Sequence, residues 1–402
     1  MLGDSSGRSA RRLLLISEHF EPSTGATAQL MTDLSRGLRQ RGWNLTVLTA
    51  TPGERLELPV IRLNNSSAKQ VMSGGVVAKA LKGIRFLVGS LLWCLSHGRQ
   101  GDVVLIVSNP PFIGLLGPLL QLSRQLPYVF VFQDLFPRSA VLSGVLPAAG
   151  PLALLWRRLM QRVCQHSAFT VVLSQAMEHR LRRELGRNLP LEVIHNWAVE
   201  QGQPLARGQN RFAAEHGYAE RFTVQYSGNF GRLHDLLTLL EAARLLQDRP
   251  VQFVFIGGGA KQAQIDAYQQ GFGLENVLRL PYQPRERLPE SLAACDLSAI
   301  GLIPGAEDTV APSKFYGILA SGRGVLLIAR RSCDLAQLVL QEGCGIVVEP
   351  GEAAELAEKL QTLSQHPEQV AAMGQRSLEL YEQRFGMERS IDRYAALLER
   401  VA

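Results

Sequence analysis

Cysteine is scarce in this chain, and its hydrophobic runs are short. The five cysteines are scattered through 402 residues without C-x-x-C or C-x-x-H spacing, which argues against both a zinc site and a disulfide framework. This cysteine usage fits a reducing cytosol. The apolar run at residues 13–16 is too short for a signal peptide, and we expect it to form the first β-strand.

Two common functional motifs are also missing. No G-x-G-x-x-G follows the first strand with an acidic residue beyond it, which argues against a dinucleotide oxidoreductase. The net charge of +6 and the pI of about 9.2 suggest an anionic partner, but no aromatic-rich basic patch or nucleic-acid motif accompanies them. The remaining candidates for that partner are a phosphorylated substrate and an anionic membrane.

The chain does contain a regular alternation of strand and helix patterns. The alternation restarts after a polar, glycine-containing segment at residues 201–220, which suits a linker and a short helix. Strands that form continuous apolar runs indicate a parallel sheet covered on both faces. We therefore predict an α/β fold of two tandem Rossmann-like, doubly wound domains, with a ligand cleft between them at the carboxyl ends of the strands. The expected strands lie at residues 13–17, 45–50, 103–107, 129–134, 170–174 and 191–196, and then at 222–227, 251–257, 277–282, 297–302, 324–329 and 345–349.

A glycine-rich turn joins the first strand and helix of the second half. Residues 223–226 form the strand and Gly228 and Gly231 the turn, and a second glycine run at 257–259 ends the next strand. Such a turn points unpaired N–H groups at an anion, and Arg232 adds a cation. The alternative is a tight strand-to-helix turn that binds no ligand.

Residues 78–99 are predicted to form a basic amphipathic helix. Their apolar stretch, 86–95, is far shorter than the roughly 20 residues that span a bilayer, so the helix could lie on a membrane but not cross it. Phe86 and Trp93 would be suitable interfacial anchors. The alternative is a packed helix whose charged side faces solvent. The apolar row consists of Leu81, Ile84, Val88, Leu91 and Leu95, and the basic row of Lys79, Lys82 and Arg85.

Six segments, taken in order, resemble a known family. They are residues 21–49, FQDLFP (132–137), VIHNWAV (193–199), YSGNFGR (226–232), FIGGG (255–259) and PSKFYGILASGRGVLL (312–327). Their order and spacing are similar to those of family 4 glycosyltransferases with the GT-B fold, and more narrowly to the branch that builds colanic acid, O-antigen and other capsular polysaccharides. The resemblance runs from about residue 12 to residue 394.

The resemblance implies a retaining hexosyltransferase that passes a sugar from a UDP- or GDP-sugar to an acceptor hydroxyl, often on a polyprenyl diphosphate-linked saccharide. It implies no metal, no cofactor beyond the nucleotide sugar and no nucleic-acid partner. Residues 1–200 would bind the acceptor and residues 201–382 the donor, with a C-terminal helix at 383–402 packing back on the first domain. A lipid-linked acceptor, together with the 78–99 helix, implies a cytoplasmic protein held peripherally at the inner face of the cytoplasmic membrane.

The resemblance also assigns residues to the donor diphosphate. Lys314 follows Ser313 in a Pro-Ser-Lys turn that opens a helix, where Ser313 can cap the helix and the helix N-terminus favours an anion. An ordinary solvated lysine is the alternative. The diphosphate group is expected to contact Gly228, Asn229, Arg232, Ser313 and Lys314.

Further candidates follow from the same resemblance. Gly25 would belong to a loop that closes over the donor phosphate and the acceptor, with a simple turn as the alternative. Asp134, at the end of an apolar strand, is a candidate base or orienting group, with a helix N-cap as the alternative. The nucleotide and sugar are expected to contact Gly257, Gly258, Tyr282 and Glu307.

One departure from the wider family leaves two rival functions open. Many members carry two glutamates separated by seven residues, but Thr309 and Gly317 stand at those positions here, as they would in the capsular branch. Glu307 and Asp308 lie close to the first of these positions and are candidates to substitute in part for the missing glutamates, with a solvated acidic loop as the alternative. The rivals are a nucleotide-sugar epimerase of the same fold, which would need acid and base carboxylates, and a catalytically silent, membrane-associated binding subunit.

Overall fold

The computed structural model describes residues 11–53, 57–63, 76–199 and 209–402. Residues 201–208 of the expected linker and the side chain of Lys79 in the basic row lie outside this description. The chain divides into two compact units, each built on one parallel sheet. The first unit comprises the described parts of Met1–Val141, Leu146–His195 and Glu388–Ala402, and the second comprises those of Leu142–Val145 and Asn196–Met387.

The first unit contains a sheet of seven parallel strands in the order β3-β2-β1-β4-β5-β6-β7. Every residue of β4 and β5 is buried, because helices cover both faces of the sheet. The strands are β1 (Arg12–Ile16), β2 (Asn44–Thr49), β3 (Val60–Arg62), β4 (Val103–Val107), β5 (Tyr128–Val131), β6 (Phe169–Val172) and β7 (Leu191–Val193). The helices are α1 (Ala26–Gln40), α2 (Val76–His97), α3 (Leu116–Arg124), α4 (Arg138–Leu142), α5 (Pro151–His166) and α6 (Gln175–Leu185).

The second unit contains a sheet of six parallel strands in the order β10-β9-β8-β11-β12-β13. Leu236, Leu239, Leu240 and Ala243, which carry the helical spacing in the sequence, are all buried in its core. The strands are β8 (Phe222–Asn229), β9 (Val251–Gly258), β10 (Val277–Leu280), β11 (Leu297–Gly301), β12 (Gly324–Ile328) and β13 (Gly345–Val348). The helices are α7 (Arg211–Glu215), α8 (Leu237–Leu245), α9 (Gln262–Phe272), α10 (Leu288–Leu292), α11 (Lys314–Ala320), α12 (Asp334–Glu342), α13 (Ala353–Ser364) and α14 (Pro367–Leu380).

Both sheets are doubly wound, which confirms the predicted α/β class. The strand order reverses between β1 and β4 in the first unit and between β8 and β11 in the second. In open parallel sheets, ligands bind outside the carboxyl ends of the strands at such a switch point. The residues that follow β8 in the second unit therefore occupy a position suited to ligand binding.

A last helix, α15 (Met387–Glu399), belongs to the first unit. Its Ile391 packs so closely on α1 that a Cβ added at Gly37 would lie 2.6 Å from Ile391 Cδ1. Arg41 also pairs with Glu388 and Asp392 of this helix. The helix is shorter than the 381–401 pattern suggests, because residues 381–385 form a π-helical turn and extended backbone follows them.

Two strands differ from the sequence-based expectation at their carboxyl ends. β5 stops at Val131, and the N–H of Gln133 donates to Ser108 Oγ at 2.9 Å instead of to a neighbouring strand. Asp134 consequently lies past the strand rather than at its last position. β8 runs on to Asn229 because it stays paired with β9 as far as Gly258.

Candidate functional site: a cationic turn in the second unit

The turn after β8 is shaped by a close approach of two strands. A Cβ at Gly257 would lie 2.2 Å from the carbonyl oxygen of Gly228, and both glycines have a positive φ, +127° and +118°. Only glycine tolerates this combination of spacing and backbone conformation. The chain's own packing therefore accounts for these two glycines, and a ligand is not needed to explain them.

Lys314 brings a cation to this turn without a carboxylate partner. Its half-buried side chain passes over Gly228, where an added Cβ would lie 3.0 Å from Lys314 Cε. The ammonium lies 3.4 Å from the ring centroid of Tyr226 and 3.4 Å from the carbonyl oxygen of Asn229. Burial lowers the pKa of Lys314 well below its ordinary value. Among the described residues no acid pairs with this cation, so the position favours an anionic ligand.

His234 is held as a neutral ring beside the same turn. Its Nδ1 lies 3.1 Å from the main-chain nitrogen of Gly231, 2.7 Å from the hydroxyl of Tyr226 and 3.0 Å from the carbonyl oxygen of Asn229. Burial, together with the charges of Lys314 and Lys261, lowers the pKa of His234 to about 4. The imidazole is therefore uncharged at neutral pH.

Two more cations border the turn. Lys261 Nζ donates to the carbonyl oxygen of His234 at 2.6 Å. Arg232 is exposed, and neither its guanidinium nor its main-chain N–H has a partner within the part of the chain that the structure describes. The nearby carboxylate of Asp235 is occupied, because Thr238 donates to it through its N–H and its hydroxyl. The turn therefore carries an excess of positive charge.

A pocket of about 620 Å³ opens beside the glycines. The hydroxyl of Tyr282 donates to the carbonyl oxygen of Gly258 at 3.0 Å, and the Tyr282 side chain is 59% exposed, so its ring is available to a ligand. Arg279 stacks on the ring of Phe230, 4.7 Å from its centroid, and was not expected from the sequence. Its position in the pattern VLRLP, a charge inside an apolar strand, was the available signal. The lining consists of Gly257, Gly258, Gly259, Gln262, Asp266, Arg279, Leu280, Pro281 and Tyr282.

Two expected donor-site residues differ from the expectation in the structure. Glu307 is buried, and its oxygens accept from the guanidinium of Arg330 at 3.0 and 3.1 Å and from the N–H of Gly305. This pairing anchors the loop, and contact with the donor sugar stays a prediction that the pairing does not favour. Ser313 is the first residue before α11, but its side chain makes no capping hydrogen bond because its backbone is already helical. The expected cap is therefore wrong, and a phosphate contact by Ser313 stays a prediction.

Asp134 of the first unit is a half-buried carboxylate to which the described residues supply no hydrogen bond or ion pair. Burial raises the pKa of Asp134 to about 6. It follows β5, close in sequence to Gln133, whose buried amide nitrogen also has no partner among the described residues. A carboxyl group with a pKa near neutrality is suited to proton transfer, so the structure agrees with a base and gives no sign of a helix cap.

Gly25 immediately precedes α1, and its own chain does not require glycine there. Its φ of −66° is ordinary, and an added Cβ would come no closer than 3.8 Å to another side chain, that of Ser23. The residue is exposed. A functional need for glycine at this position would therefore come from the approach of a ligand.

Helix α2 presents an apolar stripe to solvent. Its opposite side is packed, with Phe86, Ser90 and Cys94 buried. The idea that Phe86 is an interfacial anchor is therefore wrong, because its ring is in the core. The expected charged solvent side is only partly right, because Arg85 is exposed but leucine and isoleucine are exposed beside it. The exposed apolar side chains are Leu81, Ile84, Val88 and Leu92, at 53%, 49%, 45% and 59% exposure.

Two neighbouring helices also expose leucine side chains. Arg124 at the end of α3 donates to the carbonyl oxygen of Leu95 in α2, and α3 in turn contacts α5. We call the exposed side chains of these three helices the apolar face. Besides the α2 stripe it includes Leu119 and Leu122 of α3 and Leu152, Leu154 and Leu155 of α5, with the exposed arginines Arg85, Arg124, Arg157, Arg158 and Arg162 among them.

Models of two protein families match the chain. Residues 27–198 match the family described as Glycosyltransferase Family 4, and residues 209–379 match the family described as Glycosyl transferases group 1. The chain belongs to these glycosyltransferases. The match confirms the family that the order of sequence segments suggested, and it makes sugar transfer the activity to be explained.

Individual relatives agree with this assignment. Over 397 residues the chain is 25% identical to the probable glycosyltransferase WbjE of Pseudomonas aeruginosa, which covers 96% of this chain and 97% of the relative. Over 128 residues, 32% of this chain and 31% of the relative, it is 35% identical to the putative colanic acid biosynthesis glycosyl transferase WcaI of Escherichia coli K12. Its fold is similar to that of Anabaena Alr3699/HepE in complex with UDP and glucose, with a TM-score of 0.74, 17% identity and coverage of 97% and 100% of the two chains.

Three other features of the described residues bear on partners. They contain no helix that is both long and apolar enough to cross a bilayer. They contain no group of three or more histidine, cysteine, aspartate or glutamate side chains placed to hold a metal ion. All five cysteines are free thiols.

We expect Asp134→Asn to stabilise the fold at pH 8 and to leave stability unchanged near pH 4. The raised pKa means that the folded state favours the protonated acid. The stability from this group is therefore full below the ordinary pKa of 3.8 and is lost as pH rises through about 6. Asparagine removes this loss, which is at most about 3 kcal/mol. Urea unfolding of both proteins at pH 4 and pH 8 would measure it, and equal curves at pH 8 would contradict the desolvated carboxylate.

Proposed function

We propose that the protein is a retaining glycosyltransferase that moves a sugar from a UDP- or GDP-sugar to a lipid-linked saccharide acceptor in cell-surface polysaccharide biosynthesis. The observation that carries the proposal is the cationic turn of the second unit, where Lys314 has no carboxylate partner among the described residues. The relative WcaI is named for colanic acid biosynthesis, and Alr3699/HepE binds UDP. Both support a nucleotide-sugar donor and a polysaccharide product for this chain.

The chemistry of the donor agrees with the charges at the turn. When a sugar leaves a nucleoside diphosphate, negative charge develops on the phosphate oxygens, and cations placed in advance stabilise it. Lys314 and Arg232 would meet the diphosphate, while the exposed ring of Tyr282 and the glycines of β9 would border the base or sugar. The cations at the turn could thus supply the positive charge that a metal provides in other transferases, so we propose that the enzyme needs none.

The rival functions make different demands on the same residues. An epimerase would need acid and base carboxylates at the donor site, but Glu307 is paired with Arg330 and Asp235 with Thr238. A silent binding subunit would hold nucleotide without turning it over.

Incubation of the purified protein with a panel of UDP- and GDP-sugars tests all three functions. Slow hydrolysis to free sugar supports the transferase, a second nucleotide sugar supports the epimerase, and binding without product supports the silent subunit.

Lys314→Ala and Arg232→Ala should each weaken the binding of UDP or GDP and slow donor turnover. Each change removes a side-chain cation that would pair with the negatively charged diphosphate. Loss of one such group typically lowers the rate on the order of 100-fold. Calorimetric titration with UDP and GDP and the hydrolysis assay give the two measurements. Arg249→Ala, at another exposed arginine of the second unit, is the matched control. Parent-like binding by both site variants would show that the diphosphate lies elsewhere.

Asp134→Asn should leave nucleotide affinity intact and sharply lower transfer to the acceptor. Asparagine keeps the shape of the side chain but cannot accept a proton, so the expected loss falls on the catalytic step. In the parent, transfer should rise with pH through about 6, as the carboxyl group ionises. The pH–rate profile of both proteins checks this, and a variant that transfers sugar like the parent would remove Asp134 from the mechanism.

We also propose that the apolar face holds the protein on an anionic membrane surface, near a lipid-linked acceptor. Exposed leucines interspersed with arginines suit an interface that is apolar below and negatively charged above. Each basic side chain near an anionic surface contributes about 1 kcal/mol, so binding should be reversible and sensitive to salt.

The triple variant Leu81→Gln, Ile84→Gln, Leu92→Gln should lose binding to phosphatidylglycerol vesicles. Since these side chains are about half exposed, the change should not unfold the unit. Vesicle sedimentation at low and high salt is the measurement. Leu237→Gln with Leu245→Gln, on exposed leucines of α8, is the matched control. If the parent fails to sediment with these vesicles at low salt, the apolar face does not serve this purpose.

A further inference from the structure

Tyr226 is buried inside the cationic turn, and both ends of its side chain are engaged. It is 2% exposed and lies in β8, two residues before Gly228. The face of its ring carries the ammonium of Lys314, 3.4 Å from the ring centroid. Its hydroxyl lies 2.7 Å from His234 Nδ1 and 3.1 Å from the carbonyl oxygen of Asn229. The contacts of its hydroxyl therefore fix the Tyr226 ring beneath the Lys314 ammonium.

The Nδ1 atom of His234 lies close to three groups of the turn. It is 3.1 Å from the main-chain nitrogen of Gly231, 2.7 Å from the hydroxyl of Tyr226 and 3.0 Å from the carbonyl oxygen of Asn229. The Tyr226 hydroxyl is also within hydrogen-bonding distance of that carbonyl oxygen, at 3.1 Å. His234 thus ties the Gly231 turn and the Tyr226 hydroxyl to one atom.

We propose that Tyr226 and His234 are positioning residues for the donor diphosphate: the Tyr226 ring seats the Lys314 ammonium, and His234 fixes that ring relative to the Gly231 turn. The inference rests on the proposed function and goes beyond it, because neither side chain need touch the ligand. An aromatic ring face attracts a cation, and the attraction is largest where water is excluded. With no carboxylate among the described residues paired to Lys314, the ring and the Asn229 carbonyl are what hold the ammonium at the turn.

The contact between the Tyr226 ring and the Lys314 ammonium also affects the pKa of Lys314. The ring favours the charged ammonium and so counteracts the burial that lowers the pKa of Lys314. The other ionisable groups around the turn are Lys261 after β9, Asp235 before α8, Tyr282 after β10 and the exposed Arg232. Of these Asp235 alone is acidic at neutral pH, and it is occupied by Thr238. Removing the ring should therefore make Lys314 lose its proton at lower pH.

The test is a double-mutant cycle read out by nucleotide affinity. The probe is UDP or GDP, whichever the parent binds more tightly, titrated calorimetrically from pH 6 to pH 10. Tyr226→Leu should weaken binding about tenfold at pH 8 and move the alkaline loss of affinity to lower pH. Tyr226→Phe keeps the ring and should leave that alkaline limb in place. In the Lys314→Ala background, Tyr226→Leu should have no further effect, because the seated cation is gone.

His234 supplies a second arm that does not depend on a core substitution. His234→Asn places an acceptor oxygen near the position of Nδ1 and should bind like the parent. His234→Leu offers no acceptor to Gly231 or Tyr226 and should weaken binding in the parent background, but not in Lys314→Ala. These half-buried variants report on the proposal even if Tyr226→Leu fails to fold.

The possible failures are distinguishable. Equal losses from Tyr226→Leu or His234→Leu with and without Lys314 would overturn the positioning role, since the effect would then bypass the lysine. If Tyr226→Leu loses nucleotide affinity at the same alkaline pH as the parent, the Tyr226 ring does not hold the Lys314 ammonium. If Lys314→Ala binds nucleotide like the parent, the donor site itself is misplaced and this inference falls with it.

Discussion

The cationic turn after β8 depends on how closely β8 and β9 approach each other at their carboxyl ends. A Cβ at Gly257 would meet the Gly228 carbonyl at 2.2 Å, and one at Gly259 would meet Asn229 Oδ1 at 2.5 Å. Because glycine alone fits, both strands can extend to the rim of the sheet and stay paired there. Lys314 then crosses Gly228, where any side chain would displace it. The glycines therefore make room for the cation, and the proposed binding of an anion at the turn would be a consequence of that placement.

Two charged side chains of the second unit, Glu307 and Lys314, differ in how their charge is compensated. Glu307 is buried, and the guanidinium of Arg330 and two main-chain N–H groups satisfy its oxygens. Lys314 is compensated only by a ring face and a carbonyl oxygen among the described residues. A desolvated cation with so little compensation destabilises a fold, and groups of this kind concentrate at functional sites. The contrast supports the proposed role of Lys314 at the donor site more than that of Glu307.

The sequence predicted the parts of this structure that depend on local pattern. Continuous apolar runs predicted two parallel sheets, and the buried leucines of α8 follow the spacing seen in the sequence. The features that the sequence did not predict depend on contacts between distant residues or on backbone angles. Whether Glu307 is free depends on Arg330, and whether Ser313 caps a helix depends on its backbone angles. Arg279 is far from Phe230 in sequence, so a lone charge in a strand gave no indication of its partner.

Helix α2 shows why periodicity alone could not decide its environment. Two opposite sides of this helix are apolar: Phe86 and Cys94 enter the core, while Leu81 and Leu92 face solvent. A helix that is apolar on both sides gives a diffuse pattern, in which the row that is buried cannot be distinguished from the row that is exposed. Packing decides between the two rows, since Phe86 and Cys94 lie on the side that packs against the rest of the unit.

Among the described residues, Lys314 and Asp134 both lack an oppositely charged partner, and burial shifts their pKa values in opposite directions. Burial lowers the pKa of the lysine and raises that of the aspartate, so each is pushed toward its neutral form in the absence of substrate. A diphosphate beside Lys314 would reverse its shift, because a nearby anion favours the ammonium. Asp134 would need no such reversal, since a carboxyl group with a pKa of about 6 is already largely ionised at neutral pH and retains a useful affinity for a proton. The donor would thus complete the charge of its own site, whereas the group proposed to act on the acceptor is ready before the acceptor arrives.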